Sequence, residues 1–122
     1  EMAAAAAAVC RALGVEVVRA PREADPQLAW LSRAGLVDAV ITVDSDLLAY
    51  AVPVVVTQLR PDGVCNIYRR ANLPRVPHAG SLSAQSFRHA CILCGCDFLA
   101  RVWGTSPDKA FQLVARNPEP TA

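Results

Sequence analysis

The first regular pattern along the chain is an alanine-rich stretch over residues 2–13, free of helix breakers and followed by Gly14, which predicts a helix with a glycine stop. Residues 15–18 (VEVV) predict a short strand, broken by Ala20-Pro21. Leu28, Leu31 and Ala34 recur at helical spacing before Gly35, so a second helix is expected from about residue 23 to 34. Residues 37–43 (VDAVITV) form a near-continuous β-branched run, the mark of a strand buried on both faces of a parallel sheet. Residues 47–50 suit a short helix and 52–59 a second buried strand. Arg60-Pro61-Asp62-Gly63 is a turn signal, with 64–68 returning as the hairpin partner. Two prolines and a glycine make 71–82 a loop. Ser83 suits the cap of a helix running to about residue 94, with Gly95 as its stop. Pro107 opens a last helix over 107–116. Strands alternating with helices predict an α/β fold, a mostly parallel sheet flanked by helices.

Composition narrows the class. In 122 residues, 53% hydrophobic content against 19% charged content excludes a disordered chain. The longest apolar run, residues 47–56, is half the ~20 residues a membrane-spanning helix needs and contains Pro53. Residues 1–10 carry no basic n-region, which argues against a secretory signal. The expectation is a soluble globular domain. The start at Glu1, without cap or initiator methionine, suggests an excerpt of a longer protein.

Charge is divided unevenly. Residues 1–50 hold four arginines against seven acids, and residues 51–122 hold eight basic residues against four acids. An acidic cluster followed by a basic half suits metal ions together with a polyanion, although either block alone is ordinarily a solvated face. The odd count of five cysteines favours a reducing compartment over a disulfide scaffold. His89, Cys91, Cys94 and Cys96 superficially resemble a zinc site. At helical spacing, however, Cys91 and Cys94 share one face while His89 and Cys96 share the opposite one, which cannot close a tetrahedron. Buried structural cysteines are the simpler reading.

Ligands of open parallel sheets gather at the carboxyl ends of the strands. Asp44 and Asp46 directly follow the 37–43 strand, Glu23 and Asp25 follow the 15–18 strand, and Asp97 follows the helix ending near residue 94. Five carboxylates at one sheet edge repel one another unless cations neutralise them. Hard oxygen donors select Mg²⁺ or Mn²⁺ over zinc, and two such ions about 4 Å apart clamp the oxygens of a phosphoryl transfer. Each pair alone has a simpler use: Asp44 and Asp46 in capping, Glu23 and Asp25 at the positive end of a helix dipole. Their convergence is what points to metal.

Three ordered blocks are recognisable. Residues 20–29 (APREADPQLA) resemble the A-P-x-E-A-[DE]-A-Q-L-A stretch of flap endonuclease and exonuclease 1 (XPG-type) 5′ nucleases. Residues 37–50 (VDAVITVDSDLLAY) are similar to their V-x-A-x-x-T-E-D-S-D-L-L-A-F, and residues 91–99 (CILCGCDFL) to their C-I-L-x-G-[CS]-D-Y. The D-S-D-L-L and G-C-D spellings favour the exonuclease 1 branch. The resemblance implies a PIN-like 5′ nuclease core lacking its N-terminal part. Residues 1–96 would be the internal nuclease segment and 97–122 the start of a helix–two-turn–helix element. It implies a structure-specific DNA nuclease of repair or replication, with Glu23 and Asp25 on one Mg²⁺ or Mn²⁺ ion, and Asp44, Asp46 and Asp97 mainly on the other. Arg101, Gly104, Ser106 and Lys109 would contact DNA phosphates, with K⁺ at the same loop. The implied partner is DNA with a 5′ end at a flap, nick or recessed junction, the state monomeric and the location nuclear.

The chain departs from that family pattern at Val43 (a glutamate there), Pro26 (an alanine) and Ser106 (the second glycine of G-I-G). Two further aspartates and a helical arch expected upstream have no counterpart in residues 1–20, so the isolated chain is expected to be inactive or very weak. The rival reading is a degenerate member that binds DNA or a partner without cutting. A PIN-type ribonuclease is disfavoured by the three-block spelling. Ser45 lacks a histidine partner, so serine-hydrolase chemistry is unsupported, and the lack of a glycine loop to cradle phosphate disfavours nucleotide hydrolysis. Trp30 and Trp103 read as packing residues rather than base-stacking ones.

Overall fold

The computed structural model describes residues 2–96 and 99–117. Its elements are α1 (Met2–Ala12), α2 (Ala24–Arg33), β1 (Val40–Ile41), α3 (Asp46–Ala49), β2 (Val54–Thr57) and β3 (Asn66–Arg69). A 3₁₀ helix (Arg70–Arg75), α4 (Ala84–Leu93) and α5 (Pro107–Arg116) follow. The three strands form one sheet in the order β1-β2-β3. β1 and β2 are parallel, with Val40 opposite Val55 and Ile41 opposite Val56. β2 and β3 form the expected antiparallel hairpin, from Val54 opposite Arg69 to Thr57 opposite Asn66. Gly63 N donates to Arg60 O at 2.9 Å to close its turn, and Arg60 pairs with Asp62 across it at 3.0 Å. The architecture is α/β, but the sheet is mixed rather than mostly parallel.

Three sequence expectations need correction. Residues 15–18 form no strand: no described strand offers them an edge, and Val15 and Val18 stay exposed. The 37–43 run contributes only a two-residue strand, extended by Thr42 N donating to Val56 O at 3.0 Å. It is buried on one face, not two: Val40 packs into the core with Ala29, Leu47, Val52 and Val55, while Ile41, on the opposite face of the strand, is exposed. The supposed loop at 71–82 begins inside a 3₁₀ helix. Pro74 fits that helix because its short hydrogen-bonded run makes little demand on the missing N–H. Gly80 lies so close to it that an added Cβ would stand 2.6 Å from Pro74 O.

The core joins α2, β1, α3 and β2. Ala29, Val40, Leu47, Val52 and Val55 are buried together, with Leu28, Leu48 and Tyr50 packed around them. A second apolar contact unites α4 and α5: Ala90 and Ala110 are fully buried, and the Phe87 and Phe111 rings meet edge-on with centroids 5.3 Å apart. Ser83 caps α4 as expected, its Oγ accepting from Ser86 N at 3.0 Å. No described helix is long and apolar enough to cross a membrane.

Candidate metal centre

The carboxyl end of β1 turns sharply into α3, and two side chains build the turn. Thr42 Oγ1 accepts from Asp44 N at 3.0 Å, and Asp44 Oδ1 accepts from Asp46 N at 2.9 Å. Asp44 thus shapes the turn one residue ahead of the N-cap Ser45, whose own side chain makes no cap bond, and Asp46 is the first residue of α3. Glu23 is the extended residue before α2 and makes no side-chain cap, while Asp25 lies in its first turn, where the helix dipole favours negative charge. Pro26 is the third helical residue. Its absent N–H is one that a first turn leaves without a helical partner, so α2 starts where the carboxylates need it to start.

These segments meet at one cavity of about 550 Å³, lined by Glu23, Asp25, Asp44 and Asp46 together with Tyr50, Arg88, Cys91 and Cys96. Four of the five expected ligands thus line a single cleft, contributed by two separate parts of the sequence. Asp97 lies outside the described residues. Among the described residues, no ion pair involves Glu23, Asp25 or Asp44, and no three His, Cys, Asp or Glu side chains approach closely enough to hold a metal ion. The donor chemistry suits a hard cation, since four carboxylates supply oxygen. Burial, then the neighbouring Cys94 and then Asp46 push the Cys91 thiol up to about 11. The carboxylate oxygens are the hard donors of the cleft, the kind that Mg²⁺ or Mn²⁺ prefers over a thiol.

The cysteine geometry differs from a simple helical projection. α4 ends at Leu93, so Cys96 lies beyond it in an isolated bridge with Leu99, and it lines the same cleft as Cys91 instead of facing away. The two tryptophans also depart from expectation: Trp30 is half exposed, and Trp103 is 98% exposed at a turn.

The four expected DNA contacts are all exposed or in a turn. Gly104 has φ +77, a left-handed conformation that favours glycine. Ser106 has φ −79 and caps α5, its Oγ accepting from Lys109 N at 3.3 Å, so no left-handed residue is required there. Lys109 Nζ donates to Gly104 O at 3.4 Å. Gly104, Ser106 and Lys109 are one local unit, whereas Arg101 lies apart, packed against Gly95 at the end of α4. The sequence reading missed Arg88, the cation of the carboxylate cleft. The signal was its i, i+3 relation to Cys91, which puts both on one face of α4.

The XPG I-region family model matches residues 14–97. The chain belongs to that family. Exonuclease 1 of Danio rerio is 39% identical over 112 residues, covering 89% of this chain and 14% of that protein. The DNA damage-inducible protein DIN7 of Saccharomyces cerevisiae is 32% identical, covering 98% of this chain and 28% of that protein. Flap endonuclease 1 of Tetrahymena thermophila is 36% identical, covering 96% and 30%. The chain thus spans less than a third of the length of these relatives. Flap endonuclease-1 from Methanococcus jannaschii superposes with a TM-score of 0.73 at 25% identity, over 88% of this chain and 35% of that one. The Holliday junction-resolving enzyme GEN1, solved with product DNA and Mg²⁺, shares the fold with a TM-score of 0.76 at 22% identity, over 93% and 29%. The XPG I-region match takes in every candidate carboxylate and stops before Arg101, Gly104, Ser106 and Lys109.

Proposed function

We propose that this chain is the carboxylate-bearing segment of a divalent-metal-dependent, structure-specific 5′ DNA nuclease of the exonuclease 1 kind. It would hydrolyse phosphodiesters during DNA repair or replication. One observation carries the reading: Glu23, Asp25, Asp44 and Asp46, from two separate stretches of sequence, line one cleft. Glu23 and Asp25 would hold one Mg²⁺ or Mn²⁺ ion, and Asp44 and Asp46, joined by Asp97, mainly the other. Asp44 gives one oxygen to Asp46 N–H and keeps its second for a ligand. When bound, the two ions would polarise the phosphodiester and offset the charge of attacking and leaving oxygens. Residues 97–122 would open the helix–two-turn–helix element, with Arg101, Gly104, Ser106 and Lys109 on DNA phosphates and K⁺ at the same loop. The substrate would be DNA with a 5′ end at a flap, nick or recessed junction, met in the nucleus by a monomer.

The test is a Mn²⁺ titration by calorimetry of the chain beside its Asp44→Asn/Asp46→Asn variant. An asparagine at 44 can still accept from the residue 46 N–H, so the turn survives while the charge is lost. Binding by the wild type that disappears in the variant supports the reading. The chain alone should show little or no 5′-flap cleavage, and clear cleavage abolished by Asp46→Asn would overturn that expectation. A non-cleaving, DNA- or partner-binding role is favoured by the spacing of the four described carboxylates, no three of which close on a metal. Failure of a folded wild type to bind Mn²⁺ would decide for it.

A further inference from the structure

The carboxylate cleft contains one side chain that metal binding does not use. Arg88, on α4, lines it alongside Glu23, Asp25, Asp44 and Asp46, and it is the cation among the lining residues. Its Nε donates to Ala49 O at 3.3 Å, which ties the guanidinium to the last residue of α3, the helix that begins at Asp46. No hydrogen bond or ion pair among the described residues takes its Nη1 or Nη2.

A purely structural role leaves this arrangement unexplained. The carbonyl end of α3 already has a second arginine: Arg33 Nη1 donates to Tyr50 O at 3.3 Å from α2. Arg33 is not among the residues lining the cleft, and Arg88 is. Anchoring of α3 thus accounts for a donor on this carbonyl end but not for a cation placed in the cleft. A guanidinium carries five N–H donors in a planar fork, and with Nε engaged its terminal nitrogens can still meet two oxygens of one phosphate. Because Nε is held, less side-chain freedom is lost on binding. The carboxylates repel a polyanion, so a DNA strand entering the cleft needs cationic partners there besides any bound metal.

We propose that Arg88 is a phosphodiester-binding residue, holding the backbone of the DNA strand beside the carboxylates. The inference rests on the nuclease reading above and names the side chain that receives its substrate.

The test measures two affinities of the chain, for Mn²⁺ by calorimetry and for a fluorescent 5′-flap duplex by anisotropy in Ca²⁺ at several salt concentrations. Arg88→Gln should weaken DNA binding about tenfold and flatten the slope of log affinity against log salt by about 1. Its Mn²⁺ affinity should hold or tighten, because a positive charge has left the cleft. Arg88→Lys should recover the salt slope but not the full affinity, since it restores charge without the fork. Unchanged DNA affinity and slope in Arg88→Gln would overturn the proposal. So would parallel losses of Mn²⁺ and DNA binding, which would make Arg88 a support for α3. A wild type that binds Mn²⁺ but not the duplex also sinks it while sparing the metal site. A wild type that binds neither removes the nuclease reading, and this inference with it.

Discussion

Two neighbouring parts of the chain carry similarly strong local signals and come to different ends. Residues 24–57 combine a modest helix, a short β-branched run and a second valine-rich strand, and they build the buried core. Residues 2–18 combine an excellent alanine helix with a Val-Glu-Val-Val run, yet α1 buries none of its residues and the run forms no strand. A helix closes its own hydrogen bonds, so propensity suffices for α1, and Val15 N donating to Cys10 O at 2.9 Å finishes its end. A strand needs a neighbour to close its bonds, so VEVV without one takes no regular structure.

The contrast predicts where substitutions matter. Leu47 is fully buried at the centre of the core, on the helix that carries Asp46. Leu47→Ala should lower unfolding stability by about 3 kcal/mol in urea titrations, the usual range for a buried leucine. Val18→Ala, at a half-exposed site, should change it by less than about 0.5 kcal/mol. Equal effects would mean that residues 2–18 share the core's cooperative unit.

Two glycines sharpen the same comparison. Gly14 and Gly95 both end helices with positive φ, +75 and +104. A Cβ on Gly14 meets nothing within 4 Å, whereas one on Gly95 stands 3.1 Å from the Arg101 backbone. Gly95→Ala should therefore cost about 1–3 kcal/mol from strain and crowding, in the segment that carries the cleft wall. Gly14→Ala strains only a helix end that packs against little. Its effect should appear in local hydrogen exchange near residues 9–15 rather than in the main melting transition.

What the sequence revealed divides along the same physical line. Features set within a few residues were legible: the Arg60 to Gly63 turn, the cap at Ser83, the helix start at Pro107, and the glycine stops. The meeting of Glu23, Asp25, Asp44 and Asp46 at one cleft was legible from their places after β1 and at the start of α2, although the strand expected at 15–18 to deliver Glu23 and Asp25 does not form. Features set by distant packing were not. The β-branched run at 37–43 could not reveal that only one of its faces would be covered. The faces of Cys91 and Cys96 could not be read without knowing that α4 ends at Leu93. Arg88 stayed hidden because its meaning depends on a carbonyl 39 positions away.

The smallest predicted effects concern the helix caps, and they bear on the family departure at Ser106. Ser83 caps α4 at 3.0 Å in a part-buried setting, and Ser83→Ala should cost about 1 kcal/mol. Ser106 caps α5 at 3.3 Å in an exposed one, where the family resemblance expects glycine. If that glycine met a need for left-handed backbone, a serine would be strained, but Ser106 sits at φ −79 and contributes a cap instead. Ser106→Gly should consequently change stability by only a few tenths of a kcal/mol, since glycine is itself an acceptable cap. Gly104→Ala, in the same turn at φ +77, should cost clearly more. A large gain in stability for Ser106→Gly in thermal melts would show that the loop needs its second glycine after all. The expected near-neutrality would show that the left-handed requirement of this loop falls on Gly104 alone.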